Sequence, residues 1–258
     1  MRIMTNEPLR VLAADLHIHT CLSPCADLDM TPMKIVREAL NRNLSIISIT
    51  DHNSAQNVAA VIAASRDSDL SVIPGIEITT SEEVHIIGLF EKIRGAISMQ
   101  ELIYENLQPG ENDEDLFGIQ VVANEFDEVE EINKRLLMGA TLLSLDEVIG
   151  AIHERGGLAV AAHVDRDSFG IISQLGFIPE GLALDAIEIS KRMTLTEARA
   201  RFSQYEWIPF ITASDAHFLE EIGVSPTCLQ VACGEISELR LALTGQKDRR
   251  VIQETLNL

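Results

Sequence analysis

The chain is short of cysteine, of aromatic side chains and of positive charge, and each shortage closes off a class of function. Four cysteines in 258 residues (Cys21, Cys25, Cys228 and Cys233) are too few for a disulfide scaffold of this size. Met1 to Arg10 lacks the apolar stretch of a secretory signal, so the expectation is a cytoplasmic protein with reduced thiols. No apolar run is long enough to cross a bilayer, and no membrane partner is expected. Lys and Arg number 20 against 40 Asp and Glu, a net charge of −20. Duplex binding relies on cations neutralising phosphates, so a long nucleic-acid duplex is not an expected partner. Eight Phe, two Tyr and one Trp leave few platforms for stacking single-stranded bases.

What the chain does have is length enough to bury a full core and a regular alternation of elements. Apolar, strand-like runs occupy 9–14, 45–50, 70–78, 84–90, 158–162, 186–189, 208–212 and 227–232. Several are apolar on both faces, as in parallel strands covered by helices. Helical patterns fall between them. Thr31-Pro32 opens one over 33–42, Ser54 opens one over 55–66, and Ser144 with Glu147 forms a capping box over 145–155. Two more cover 194–205 and 235–244. Strand followed by helix about seven times argues for an α/β barrel or a related parallel sheet. The stretch 97–143 breaks the alternation. It reads as an insertion over one barrel edge, with a helix at 98–106, a hairpin-like piece near 117–126 and a solvated acidic run at 111–131.

Six of the seven histidines sit in or beside acidic clusters, most of them closing an apolar run. The segments are Asp15-Leu16-His17-Ile18-His19, Thr50-Asp51-His52, Gly75-Ile76-Glu77, Val84-His85, Ala162-His163 and Ser214-Asp215-Ala216-His217. Imidazole and carboxylate are the ligand types of zinc, manganese and iron. His17 and His19, two apart on a strand, point to one face and can share an ion, and Asp215 with His217 repeats the spacing. Strand C-termini are where parallel barrels gather catalytic groups, and only His85 lies near the start of its strand. Burying so many titratable groups without metal would be costly. His153, mid-helix, stands outside every cluster and reads as structural.

These motifs, in this order, resemble those of the PHP (polymerase and histidinol phosphatase) superfamily, from Asp15 to His217. The resemblance implies an α/β fold, a distorted (β/α)7 barrel with an inserted segment, here one domain over 1–258 with the insertion at 97–143. It implies two or three divalent ions (Mn, Zn or Fe) and phosphoesterase activity. One ion falls to His17, His19, Glu77 and Asp215. A second falls to His52, His217 and bridging Glu77, with an early-loop acid, for which Asp27 is the candidate and Asp29 the fallback. A third falls between His85 and His163. Cys21 and Cys25 invite a thiolate–zinc reading, but their spacing is loose and small buried thiols are the expectation. Asp15, Asp51 and Glu188 are placed behind the ligands, orienting their rings. Arg166 is expected on a phosphoryl oxygen, with Lys191 and Arg192 as further cations near the rim. Asn53 is a substrate contact, and His217 a donor of a proton to the leaving alkoxide. The implied reaction is hydrolysis of a small phosphate monoester by a metal-activated hydroxide. The substrate is a nucleoside monophosphate, a 3′,5′-bisphosphate or a short oligonucleotide end. Histidinol phosphate, an amide substrate and a metal-stabilised regulatory module remain alternatives.

Overall fold

The computed structural model describes residues 8–252. Its strands follow the apolar runs: β1 (Arg10–Ile18), β2 (Ile46–Ile49), β3 (Ser71–Thr79) and β4 (His85–Leu89), then a separate hairpin of β5 (Val121–Ala123) and β6 (Val129–Ile132). Next come β7 (Leu158–Ala161), β8 (Ala186–Ile189), β9 (Phe210–Thr212), β10 (Thr227–Val231) and β11 (Arg250–Ile252). The main sheet has nine strands in the order β11-β10-β1-β2-β3-β4-β7-β8-β9 and curls into a nearly closed barrel. Every residue of β2, β4, β7 and β8 is buried, as their two-sided apolar sequences require.

Closure happens at one rim only. The first half of β1 pairs with β10, from Arg10↔Val231 to Ala14↔Thr227. Its last residues instead meet the segment after β9, where His19 N donates to Ala216 O at 3.0 Å and Ile18 bridges Ala216. That rim carries the histidine clusters.

Two departures from an all-parallel barrel aim the side chains there. β4 runs antiparallel to both neighbours, with Thr79 opposite His85 and Ile86 opposite Ala161. Only five residues separate β3 from β4, too few for a crossover helix, so the chain turns back as a hairpin through Glu83 at φ 59°. The start of β4 therefore lies at the rim where the parallel strands end, and His85 joins it. In β1 the pairing register with β2 shifts between Asp15 and Ile18. Leu12, Ala14 and Leu16 pack in one apolar cluster with Ile73, Ile87 and Ala186, whereas Ile18 packs in the other. The shift reverses the alternation, so His17 follows Leu16 into the interior, the re-aiming that bulges provide beside active sites.

The helices hold these strands. Helix α1 (Pro32–Asn41) starts with Pro32 at its first position, following Thr31. Helix α2 (Val58–Ala64) begins later than Ser54 suggests, because Ser54 Oγ is engaged by Gln100 Oε1 at 3.1 Å and Tyr104 Oη at 2.7 Å. Helix α3 (Ile93–Asn106) begins five residues before Ser98, and the short α4 (Glu114–Phe117) precedes the hairpin. Helix α5 (Leu145–Glu154) carries the capping box of Ser144 and Glu147. Helices α6 (Ile171–Leu175), α7 (Leu195–Arg201) and α8 (Ile236–Leu243) complete the set. α7 is shorter than its sequence pattern, the chain tightening into a 3₁₀ turn at Ser203–Tyr205.

Candidate metal centre

Glu77, on the inward face of β3 with Ile73, is the hub. Its Oε1 lies 3.4 Å from His17 Nε2, 2.8 Å from His85 Nδ1 and 3.3 Å from His163 Nε2. Its Oε2 lies 3.4 Å from His19 Nε2 and 2.9 Å from His52 Nδ1. One carboxylate, 1% exposed, thus faces five imidazoles. Asp215 Oδ1 joins from the segment after β9, 3.4 Å from His17 Nε2 and 3.2 Å from His19 Nε2.

These spacings fit ions better than hydrogen bonds. His17 Nε2 and His19 Nε2 lie 3.1 Å apart, and the measured separations among His17, His19, Glu77 and Asp215 span 3.1–3.4 Å. A tetrahedron with metal–ligand bonds of roughly 2.0–2.1 Å has edges of roughly 3.3–3.4 Å. His52 Nδ1 and His85 Nδ1, each close to Glu77, and Glu77 Oε2 itself are buried without a hydrogen-bond partner among the described residues, as is His163 Nδ1 on the other side of its ring. Buried polar atoms normally find partners, so donors that converge without bonding mark the place of a cation. Three groups have mutually close donor atoms: His17–His19–Glu77, His19–His52–His217 and His52–Glu77–His85.

Electrostatics follow from this crowding. Burial pushes the Glu77 carboxyl up, but His85, His17 and His52 bring it well below the usual carboxylate range. His17 is held well above its ordinary value, since Glu188, Asp215 and Glu77 outweigh its burial. Burial with His217 and His52 alongside pulls His19 well below its ordinary value, and burial brings His85 to about 4. Such perturbed groups in one cluster are what functional sites display.

The backbone is bent to deliver these ligands. His163 (φ 28°) and Asp215 (φ 49°) both occupy the left-handed region just beyond their strands. Non-glycine residues rarely sit there, and such conformations concentrate at functional sites. Supporting side chains fix them. Glu188 Oε2 takes a bond from His17 Nδ1 at 2.9 Å, and its Oε1 accepts from His163 N at 3.2 Å, tying the ends of β1 and β7. Ser23 Oγ lies 2.9 Å from His19 Nδ1 and donates to Asp51 at 2.7 Å. Glu188→Gln is expected to weaken metal binding roughly 10–100-fold, as loss of an outer partner commonly does. Competition with a metal-sensitive dye measures this, and unchanged affinity would deny Glu188 that role.

Several expected residues fall elsewhere. Asp27 is exposed and its Oδ1 caps Asp29 N at 2.8 Å, while exposed Asp29 pairs with Lys34 at 2.6 Å. Neither is bonded to the ligand side chains, because both carboxylates are taken up within the loop and by Lys34. Asn53 is fully buried, donating to Leu137 O and Gly139 O at 2.8 Å and accepting from Thr79 N at 3.2 Å. With these bonds made, its side chain stitches residues 137–139 to the rim. Asp15 and Asp51 hold loops and not rings. Asp15 accepts from Ser214 N and Gly223 N at 3.0 and 2.8 Å, and Asp51 accepts from Thr20 N and Ser23 Oγ at 2.7 Å. Arg166 Nη1 pairs closely with Asp215 Oδ2, leaving its Nε buried without a hydrogen-bond partner among the described residues. Lys191 is taken by Glu221 Oε1 at 2.5 Å, and with Arg192 it lines a side cleft of about 280 Å³. His153 pairs with Asp185 Oδ2 at 2.8 Å, away from the cluster.

Two site residues escaped the sequence reading, Ser23 and Phe169, and of the two cysteines expected to be small buried thiols only one is. Phe169 stacks on His85 with ring centroids 4.4 Å apart. Cys21 is a buried thiol, pushed up to about 12 mainly by that burial. Cys25 is not: it is exposed, and its thiol interacts with the rings of His217 and His52. Burial works to raise that thiol, yet the two imidazoles bring it down to about 6.

With the geometry in hand, residues 15–174 match the PHP domain family, a span reaching from the first histidine cluster past His163. The chain belongs to the PHP domain family. PHP-family members, an exoribonuclease, an endonuclease and phosphoesterases among them, are metal-dependent hydrolases. Among curated PHP relatives, protein YqxK of Bacillus subtilis is 33% identical over 106 residues, 39% of this chain and 27% of that protein. The 5′-3′ exoribonuclease Rnm of Escherichia coli is 37% identical over 84 residues, 29% of this chain and 26% of that protein. The matches therefore span only about a quarter of those relatives' lengths. Among solved structures, the lesion-specific endonuclease PfuEndoQ of Pyrococcus furiosus superposes with a TM-score of 0.75 at 17% identity, covering 94% of this chain and 58% of that one. A two-domain protein of Bacteroides vulgatus with a PHP-like metal-dependent phosphoesterase gives 0.57 at 16% identity, covering 96% and 66%. At such identities these likenesses concern the PHP fold. No described helix is long and apolar enough to cross a membrane.

Proposed function

We propose that this chain is a metal-dependent phosphoesterase that hydrolyses a phosphate ester of a nucleotide or of a short oligonucleotide end. The observation that carries the reading is Glu77, one carboxylate facing five imidazoles, with the buried His52 Nδ1 and His85 Nδ1 beside it left without a hydrogen-bond partner among the described residues. His17, His19, Glu77 and Asp215 would hold one ion, and His52 and His217 with Glu77 a second. His85 and His163 with Glu77 would hold a third. Divalent ions there would acidify an attacking water and neutralise charge growing on the phosphoryl oxygens.

The chain's own residues supply the rest. Arg166, 22% exposed beside Asp215, keeps an unpaired Nε for an equatorial phosphoryl oxygen. His217 donates Nδ1–H to Asp215 O at 2.9 Å, which leaves Nε2 with the lone pair. That tautomer makes His217 a ligand, so the proton for the leaving alkoxide comes from solvent and not from this ring. Residues 97–143, stitched to the rim through Asn53, form the insertion that shapes access.

The substrate class draws on the relatives' names and on charge. Rnm is a 5′-3′ exoribonuclease, and Endonuclease Q is solved with a 27-mer duplex carrying an abasic lesion. The longer chains of those proteins exceed what is present here, and a net charge of −20 repels a long duplex. A nucleotide end presents few phosphates and suits this surface. The test is phosphate or nucleotide release by metal-loaded protein from nucleoside monophosphates, 3′,5′-bisphosphates, short 5′-phosphorylated oligonucleotides and histidinol phosphate. Turnover of a nucleotide member that chelation abolishes is the expected result. Turnover of histidinol phosphate alone would overturn the substrate class, and silence from fully metallated protein would overturn the activity.

A further inference from the structure

We propose that Cys25 is a ligand of the ion held by His52 and His217, so that this position of the metal centre carries sulfur in place of a carboxylate. The inference rests on the metal centre proposed above and adds a donor to it. Three stretches of chain converge here: the loop after β1 brings Cys25, the end of β2 brings His52, and the segment after β9 brings His217. The Cys25 thiol lies beside both rings and interacts with each of them.

The loop is anchored and not merely adjacent. Ala26 N donates to Ser23 O at 2.9 Å, and Asp27 N donates to His217 O at 2.9 Å. Ser23 Oγ accepts from His52 N at 3.1 Å while contacting His19 Nδ1. Cys25 therefore sits between two residues pinned to the site. His52, 5% exposed, turns its Nδ1 to Glu77 Oε2 at 2.9 Å, which leaves Nε2 free of the hub carboxylate.

The carboxylates of the same loop offer no substitute, since Asp27 and Asp29 point outward. The trio His19, His52 and His217 consists of neutral donors, and an ion there needs an anion besides the shared Glu77. A thiol meets that need by releasing its proton to solvent on binding. Sulfur beside imidazole selects zinc or iron over manganese or magnesium, so this position would differ in metal preference from the oxygen-rich position at Asp215.

Cobalt(II) separates this proposal from the one beneath it, because cobalt adopts zinc-like coordination and is coloured. The full chain is reconstituted with cobalt(II) and its absorption recorded, alongside Cys25→Ser, Cys25→Asp and Cys21→Ser. Visible ligand-field bands report ions in the histidine–carboxylate centre. A near-ultraviolet thiolate-to-cobalt band reports sulfur. The expected result is both bands in wild type and in C21S, with loss of the near-ultraviolet band alone in C25S and C25D. The retained visible bands show that those variants still fold around metal. Visible bands with no sulfur band in wild type, or a sulfur band surviving in C25S, would overturn the role of Cys25 and leave the metal centre standing. Absence of visible bands from every protein would overturn both.

Discussion

Glu77→Gln is expected to lower turnover by at least roughly 10³-fold, beyond the 10–100-fold typical of an outer partner. The substitution keeps the shape of the side chain but removes the charge that five imidazoles face. It also places an amide N–H against nitrogens that must offer lone pairs to a metal. Every proposed ion position uses this carboxylate, so no position escapes. Arg166→Ala is expected to cost about 10²-fold, the scale of losing one donor to the transition state. The arginine touches one ligand, Asp215, and not the hub, so its loss leaves the shared carboxylate in place. Steady-state kcat/KM with metal analysis of each variant decides the matter. Equal and mild losses in both would contradict the hub assignment.

Chelation is expected to lower the melting temperature strongly, and less strongly as pH falls. A ligand at a thousandfold its Kd stabilises the folded state by about 4 kcal/mol per site. For a chain of this length that is a shift on the order of 10 °C. The pH dependence follows from three imidazoles. Burial works to lower the pKa of His17, His52 and His217, but their partners raise all three above the ordinary value. Those partners are Glu188, Asp215 and Glu77 for His17, Cys25 and Glu77 for His52, and Cys25 and Asp215 for His217. In metal-free protein these rings hold their protons more tightly than free histidine does, and an incoming ion competes with those protons. Affinity therefore rises with pH and fades as pH falls. The gap between metal-loaded and chelated melting curves should narrow from pH 8 toward pH 6 (a range of about two units around the ordinary histidine value). A gap that widened on acidification would contradict this ordering of proton and metal.

The site was legible in the sequence because its ligands come from separate strand ends, and each left a compact histidine or carboxylate motif. The apolar runs around them showed the strands for the same reason: two-sided burial leaves little room for polar residues. What stayed hidden depends on direction and not on composition. The short Ser81-Glu82-Glu83 link permits only a hairpin, yet an apolar strand looks the same in either direction, so the reversal of β4 was missed. The register shift in β1 leaves no mark in a run of apolar residues. In the loop after His19, aspartate is the more obvious ligand type, but the backbone turns Asp27 outward and Cys25 toward His52 and His217. Asn53 looked free to meet substrate because its three partners lie at Thr79, Leu137 and Gly139, far along the chain.

Metal content tests the central claim most directly. The full chain, loaded with zinc, iron or manganese and freed of loosely held ions by gel filtration, is measured by elemental analysis beside Glu77→Gln. The account predicts more than one tightly held ion per wild-type chain, and a fall to one or none in the variant, because the positions share one carboxylate. A wild-type chain that retains one ion or none, or a variant that retains the full wild-type complement, would contradict it.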